Sequence, residues 1–172
     1  MFGKPRQIET ESALYDAAIA LLTRRAHSVF EMKKALTRRC EAPKLVEAVM
    51  ARLKKEKLVD DARYARQFAR YRMDSRKQGQ FRIARDLRAR GVPDHYIEGA
   101  LQDAAEDADP AVMVRRRIEG KLRLYRGEVD QRKLASLYRS LLAAGFPVEL
   151  IRQELRRLTH EDLPEADRGL DD

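Results

Sequence analysis

A few residues in this chain have the types and spacing that chemistry needs. His27 and Glu31 stand four apart, which puts an imidazole and a carboxylate on one helical face and could seat a metal ion. No third ligand lies near them, and Ser28 with Glu31 also spells a capping box, so a structural role at a helix start is expected. Asp60 and Asp61 are paired carboxylates. They precede an apolar-periodic run, where acids suit the positive end of a helix dipole. Cys40 follows Arg38 and Arg39, whose charges favour a thiolate, but no histidine stands beside it; a structural cysteine is expected. His95 and His160 are isolated, and Gly79-Gln80-Phe81-Arg82 is a single glycine in a basic turn. Neither GxxxxGK[ST] nor GxGxxG occurs, so no phosphate-cradling loop is read. These residues predict no catalysis, no cofactor and no metal.

What remains is cationic. Arg63, Arg66 and Arg70 recur at i, i+3, i+7, and Arg82, Arg85 and Arg88 form a second ladder. Arg115, Arg116 and Arg117 begin a third cluster that continues through Lys121, Arg123 and Arg126. Arg24, Arg25, Lys33, Lys34, Arg72, Arg76 and Lys77 add to it. Guanidinium forks suit phosphate and carboxylate. Each ladder alone could be a solvated face; a strip running across successive helices would be a binding surface. Tyr64, Phe68 and Tyr71 line another face at i, i+4, i+7, read as core packing ahead of base stacking. The chain as a whole carries 36 Lys+Arg against 28 Asp+Glu, a net of +8. Its last twelve residues, EDLPEADRGLDD, hold six acids and one arginine, so the preceding 160 carry +13. A basic body points to a polyanionic partner.

The elements that must position these residues are helical. With eight Gly, six Pro and no Trp in 172 residues, and 44% of them hydrophobic, the composition favours a helical core over sheet or disorder. No run of eighteen apolar residues exists, which argues against a membrane span. Met1–Thr10 lacks an apolar signal region and the cysteine is single, so a reducing cytoplasm is expected. Leu14, Ala17, Ala18, Leu21 and Leu22 trace a first helix capped by Ser12. A second starts at Ser28 with Met32, Ala35 and Leu36 inward, and a third starts at Pro43 and buries Leu45, Val46, Val49, Met50 and Leu53. After an Asp60 or Asp61 cap come Tyr64, Ala65, Phe68, Tyr71 and Arg72. Phe81, Ile83 and Leu87 follow in a helix closed by Gly91, and Pro93 opens one with Tyr96, Ile97, Ala100 and Leu101 inward. Asp109-Pro110 starts a helix with Val112, Met113, Ile118 and Leu122. Then come Leu134, Leu137, Tyr138, Leu141 and Leu142, closed by Gly145, and Pro147 opens the last, with Leu150, Ile151, Leu155 and Leu158.

This pattern repeats. Gly91-Val92-Pro93 returns as Gly145-Phe146-Pro147, 54 residues on. At that offset Ile83, Leu87, Ile97 and Leu101 become Leu137, Leu141, Ile151 and Leu155; 51 residues earlier stand Met32, Leu36, Val46 and Met50. All twelve are apolar in a chain that is 44% hydrophobic, which argues for tandem units. The expected fold is all-α: three tandem three-helix, helix-turn-helix-like repeats in an elongated, curved array. The expected boundaries are an N-terminal tail 1–12, repeats 13–59, 60–108 and 109–160, and an acidic tail 161–172. Cys40 replaces the glycine of the first unit, so a looser or different cap is expected there.

Three stretches, LLTRRAHSVFEMKKAL (21–36), LKKEKLVDDARYARQFARYR (53–72) and GQFRIARDLRARGV (79–92), resemble the RecX family of regulatory proteins. The resemblance weakens through the third unit and covers about 13–158. It departs at Met32, Ala35 and Cys40, which are packing changes for the most part, and the acidic tail is not part of it. It implies a three-repeat helical modulator, not an enzyme, that binds the RecA recombinase filament on single-stranded DNA. Such a protein lies in the filament groove and suppresses ATPase, strand-exchange and coprotease activities. The sixteen cations expected to contact RecA or DNA are Arg24, Arg25, Lys33, Lys34, Arg63, Arg66, Arg70, Arg72, Arg76, Lys77, Arg82, Arg85, Arg88 and Arg115 to Arg117. A general DNA-binding repeat protein acting without RecA is the alternative, and a scaffold with purely solvating arginines the third reading. A monomer is the default. The acidic tail is read as inert ahead of folding over the basic strip.

Overall fold

The computed structural model describes residues 7–125 and 129–159. Arg126, His160 and the acidic tail lie outside them, as does the side chain of Leu158. Nine helices and no strand occur among the described residues: α1 (Glu11–Arg24), α2 (Val29–Thr37), α3 (Pro43–Lys55), α4 (Asp61–Asp74), α5 (Gln80–Arg88), α6 (Asp94–Asp107), α7 (Pro110–Leu122), α8 (Gln131–Ala143) and α9 (Val148–Thr159). None of them is long and apolar enough to cross a membrane.

The chain forms two compact units. One runs to Ala69 and takes in Arg85–Ala100; the other comprises Arg70–Ala84 and the residues from Leu101 onward. In the first, α1, α2 and α3 pack mutually around Leu14, Ala18, Met32, Leu36, Val49 and Leu53. In the second, α7, α8 and α9 pack around Val114, Ile118, Leu137, Leu141, Ile151 and Leu155. Of the twelve repeat-defining positions, all but Leu101 are buried.

Local signals set the helix ends. Ser28 and Glu31 form the expected capping box, and Pro43 and Pro110 stand at first helical positions. Asp60 Oδ1 accepts from the Arg63 N–H at 3.0 Å and caps α4. Thr10, rather than Ser12, caps α1: its backbone is extended and its Oγ1 accepts from the Ala13 N–H, leaving Ser12 within the first turn. Gly91 (φ 70) and Gly145 (φ 89) take the left-handed conformation that ends α5 and α8. The Val92 and Phe146 N–H groups reach back to the carbonyls of Leu87 and Leu141 in both turns. Cys40 does without that conformation: its own N–H bonds to the Leu36 carbonyl at 3.0 Å, a tighter cap, and its side chain is buried.

Several aromatic residues face outward instead of into the core. The buried stripe of α4 runs through Ala65, Ala69 and Met73 at i, i+4, i+8, and Tyr71 falls outside it, 54% exposed. Phe81, in the first turn of α5, is 60% exposed, and Tyr96 and Leu142 also reach solvent. Val114, not Val112, is the fully buried valine of α7.

The joint between successive helical blocks also repeats. In the first unit the Ser28 hydroxyl donates to the Arg90 carbonyl at 2.6 Å, and Phe30 rests on Gly91. In the second the Gly79 N–H donates to the Ala144 carbonyl at 2.8 Å, and the Phe81 N–H to the Gly145 carbonyl at 3.0 Å. Gly79 lies 51 residues after Ser28, and Ala144 lies 54 after Arg90, so these are one joint made twice. The carbonyl equivalent to Arg90 and Ala144 in the first block belongs to Arg39. It accepts the Ile8 N–H at 2.8 Å, so the segment before α1 occupies the same docking point.

Candidate functional site

The two acid-rich groupings read from sequence serve structure. Asp61 Oδ1 accepts the Val29 N–H at 2.9 Å, so the Asp60–Asp61 pair caps α4 and ties it to the start of α2. Burial raises the Asp61 carboxyl, opposed by that backbone hydrogen bond. Glu31 gathers the Arg25 guanidinium at 3.0 Å, the Ser28 amide at 3.3 Å, the Tyr64 hydroxyl at 3.4 Å and Arg90 at 4.0 Å. Burial opposes its ionisation, but Arg25, the Ser28 N–H and Arg90 outweigh it and hold the carboxyl below its ordinary range. His27 is buried, its Nδ1 3.0 Å from the Arg25 carbonyl, and desolvation pushes the imidazole down. No cluster of three metal-ligating side chains occurs among the described residues.

The arginines divide by what they touch. Arg115 makes a two-pronged pair with Glu154, at 2.8 and 3.0 Å, and Glu154 is only 2% exposed. Arg82 donates to the Ala143 carbonyl at 3.2 Å and Arg117 to the Lys77 carbonyl at 3.1 Å. Arg63 reaches the Lys57 carbonyl at 2.6 Å. Arg25, Arg70, Arg85 and Arg88 pair with Glu31, Asp107, Asp86 and Asp94 in turn. These last four are more than half exposed, so a stronger anion could recruit them at small cost. Arg72 is half-buried. Arg24, Lys33, Lys34, Arg66, Arg76, Lys77 and Arg116 are exposed with no carboxylate at ion-pair distance among the described residues. Lys77 also takes a left-handed backbone (φ 50) just past α4.

The sequence reading missed Arg90, which lies 4.8 Å over the Phe68 ring while facing Glu31. It stands one residue before a turn glycine, outside the ladder spacing, and no local pattern marks it. The Tyr64 and Phe68 rings stack at 6.1 Å within the first unit, as core packing requires.

Comparison with known proteins agrees with this fold. Residues 15–53 match the family model for RecX, first three-helix domain, and residues 60–101 the model for RecX, second three-helix domain. The regulatory protein RecX of Pseudomonas syringae pv. tomato is 32% identical over 149 residues, which cover 86% of this chain and 92% of that protein. That of Chromohalobacter salexigens is 36% identical over 149 residues, 84% of this chain and 92% of that protein. The Halorhodospira halophila regulatory protein RecX is 44% identical over 95 residues, a match spanning 55% of this chain and 58% of that protein. The crystal structure of RecX from Lactobacillus salivarius has the same fold, with a TM-score of 0.74 at 20% identity, covering 88% of this chain and 97% of that one.

Proposed function

The chain belongs to the RecX family of regulatory proteins, and from that premise we propose that it binds the RecA filament on single-stranded DNA and lowers its ATPase, strand-exchange and coprotease activities. The observation that carries this reading is the relatedness to regulatory RecX proteins across more than four-fifths of the chain. A second feature supports it: the exposed cations without internal carboxylates fall in both units, so contact at several points gains from linkage. Arg24, Lys33, Lys34, Arg66, Arg76, Lys77 and Arg116 are the first candidates. Arg25, Arg63, Arg70, Arg72, Arg85 and Arg88 come second, and Arg82, Arg115 and Arg117 last, because their guanidinium groups already brace the second unit.

The test is ATP hydrolysis by RecA on single-stranded DNA with rising amounts of this protein, beside a DNA-only binding control. Inhibition is expected. Arg66→Glu, Arg76→Glu and Arg116→Glu together should shift the inhibition curve to about tenfold higher protein concentration with an unchanged helical spectrum. DNA binding without any effect on RecA would favour a general DNA-binding role instead.

A further inference from the structure

We propose that the ridge around Phe30 is a binding site for single-stranded nucleic acid, with bases lying against Phe30 and Tyr96 and phosphates held by the lysines beside them. Phe30 is a large apolar side chain left 50% exposed on α2. It does not hang free: a Cβ at Gly91 would come within 2.5 Å of its Cβ and Cγ, so the ring is braced against that turn. On one side of it lies a groove of about 790 Å³ whose wall includes Lys33, Lys54, Lys57 and Tyr96, the last 38% exposed. A second hollow of about 260 Å³, also lined by Phe30, is bordered by Lys33, Lys34, Thr37 and Arg38. The Lys34 ammonium sits 5.8 Å from the ring centroid. All of these residues belong to the first unit.

Lys33, Lys34, Arg38, Lys54 and Lys57 have no carboxylate at ion-pair distance among the described residues. The two acids in the groove wall each accept a backbone N–H, Asp60 from Arg63 and Asp61 from Val29, and the five cations around the two hollows outnumber them. Two cationic hollows that share one exposed ring match a polymer that alternates a planar base with a phosphate. An acidic peptide would use the cations but has no regular planar group to lay on Phe30. The inference deepens the regulatory reading by giving DNA a place on this chain.

The test uses the full chain without RecA, measuring anisotropy of a labelled oligo-dT and of an abasic strand with the same number of phosphates. Oligo-dT should bind about tenfold or more tightly than the abasic strand. In Phe30→Leu with Tyr96→Leu, which keeps apolar bulk on Gly91, that preference should vanish. Lys33→Gln, Lys54→Gln and Lys57→Gly together should weaken both strands and lower the salt slope by about 2; glycine also suits φ 55 at residue 57. Equal binding of the two strands by the unaltered protein, or a preference that survives in the double variant, overturns the site. So does a polyglutamate peptide that displaces oligo-dT from the unaltered protein at matched charge but not from the double variant. RecA inhibition is measured in parallel: its persistence without base-dependent binding removes only this inference, and its absence in the unaltered protein removes the regulatory reading.

Discussion

At the scale of single residues, two glycines of the second unit, Gly79 and Gly145, are fixed by close neighbours. A Cβ on Gly79 would lie 2.3 Å from the Gly145 carbonyl carbon, and one on Gly145 would lie 2.4 Å from the Arg82 nitrogen. Both collisions are with backbone, which cannot rotate away, and Gly145 also has φ 89. Gly145→Ala and Gly79→Ala should each cost about 2–4 kcal/mol in urea unfolding, well above a surface glycine such as Gly99, whose Cβ would meet nothing. Arg115 and Glu154 make a different kind of constraint. The guanidinium holds the buried Glu154 carboxyl below its ordinary range, despite desolvation. A carboxyl depressed in the folded state gives stability that is present above its unfolded pKa and lost as pH falls through the folded value. Arg115→Met removes the partner and leaves burial to raise Glu154, so the sign inverts. The variant should lose stability at neutral pH and recover part of the deficit near pH 4, read from denaturation midpoints across pH.

At the scale of elements, the start of α2 combines a cap and a joint. The Ser28 oxygen accepts from the Glu31 N–H at 3.1 Å and donates its proton to the Arg90 carbonyl at 2.6 Å. Ser28 is fully buried, so water cannot replace either bond. Ser28→Ala should therefore cost about 2 kcal/mol, a cap plus a buried hydrogen bond, rather than the ~1 kcal/mol of an exposed cap. Thermal unfolding of the variant beside Thr10→Ala, whose cap is exposed, measures the difference. The Ser28–Glu31 cap was legible because it is local and side-chain coded. The bond to Arg90, 62 residues away, was not, because a backbone carbonyl carries no residue signature.

At the scale of the whole molecule, the docking point is used three times, by Ile8, Ser28 and Gly79, on the carbonyls of Arg39, Arg90 and Ala144. Repeat arrays need their end units covered, since an uncovered end exposes the surface that neighbours bury inside the array. Ile8 also packs partly buried against the first unit's core. Removing residues 1–9 takes away the Ile8 hydrogen bond and its partly buried side chain, which should lower stability by at least about 1–2 kcal/mol and increase hydrogen exchange at the end of α2. Unchanged protection at Arg38 to Cys40 would show that the segment does not cover that turn.

The sequence alone determined the helical class, the period of about fifty residues, the Gly-Pro turns and the family resemblance. Each of these is written in neighbouring side chains: apolar spacing follows the helical turn, and glycine and proline follow local backbone angles. Tertiary structure decided how the cations are used. The ladders of Arg63, Arg82 and Arg115 look alike in one dimension, yet Arg115 closes on Glu154, 39 residues away, while Arg116 beside it is exposed. It also decided that Phe30 and Tyr96 line one groove with Lys54 and Lys57, since residues from α2, α3, the turn after α3 and α6 meet only when the chain has packed. Periodicity says which face of a helix turns inward; what stands opposite an outward face depends on chain far removed in sequence.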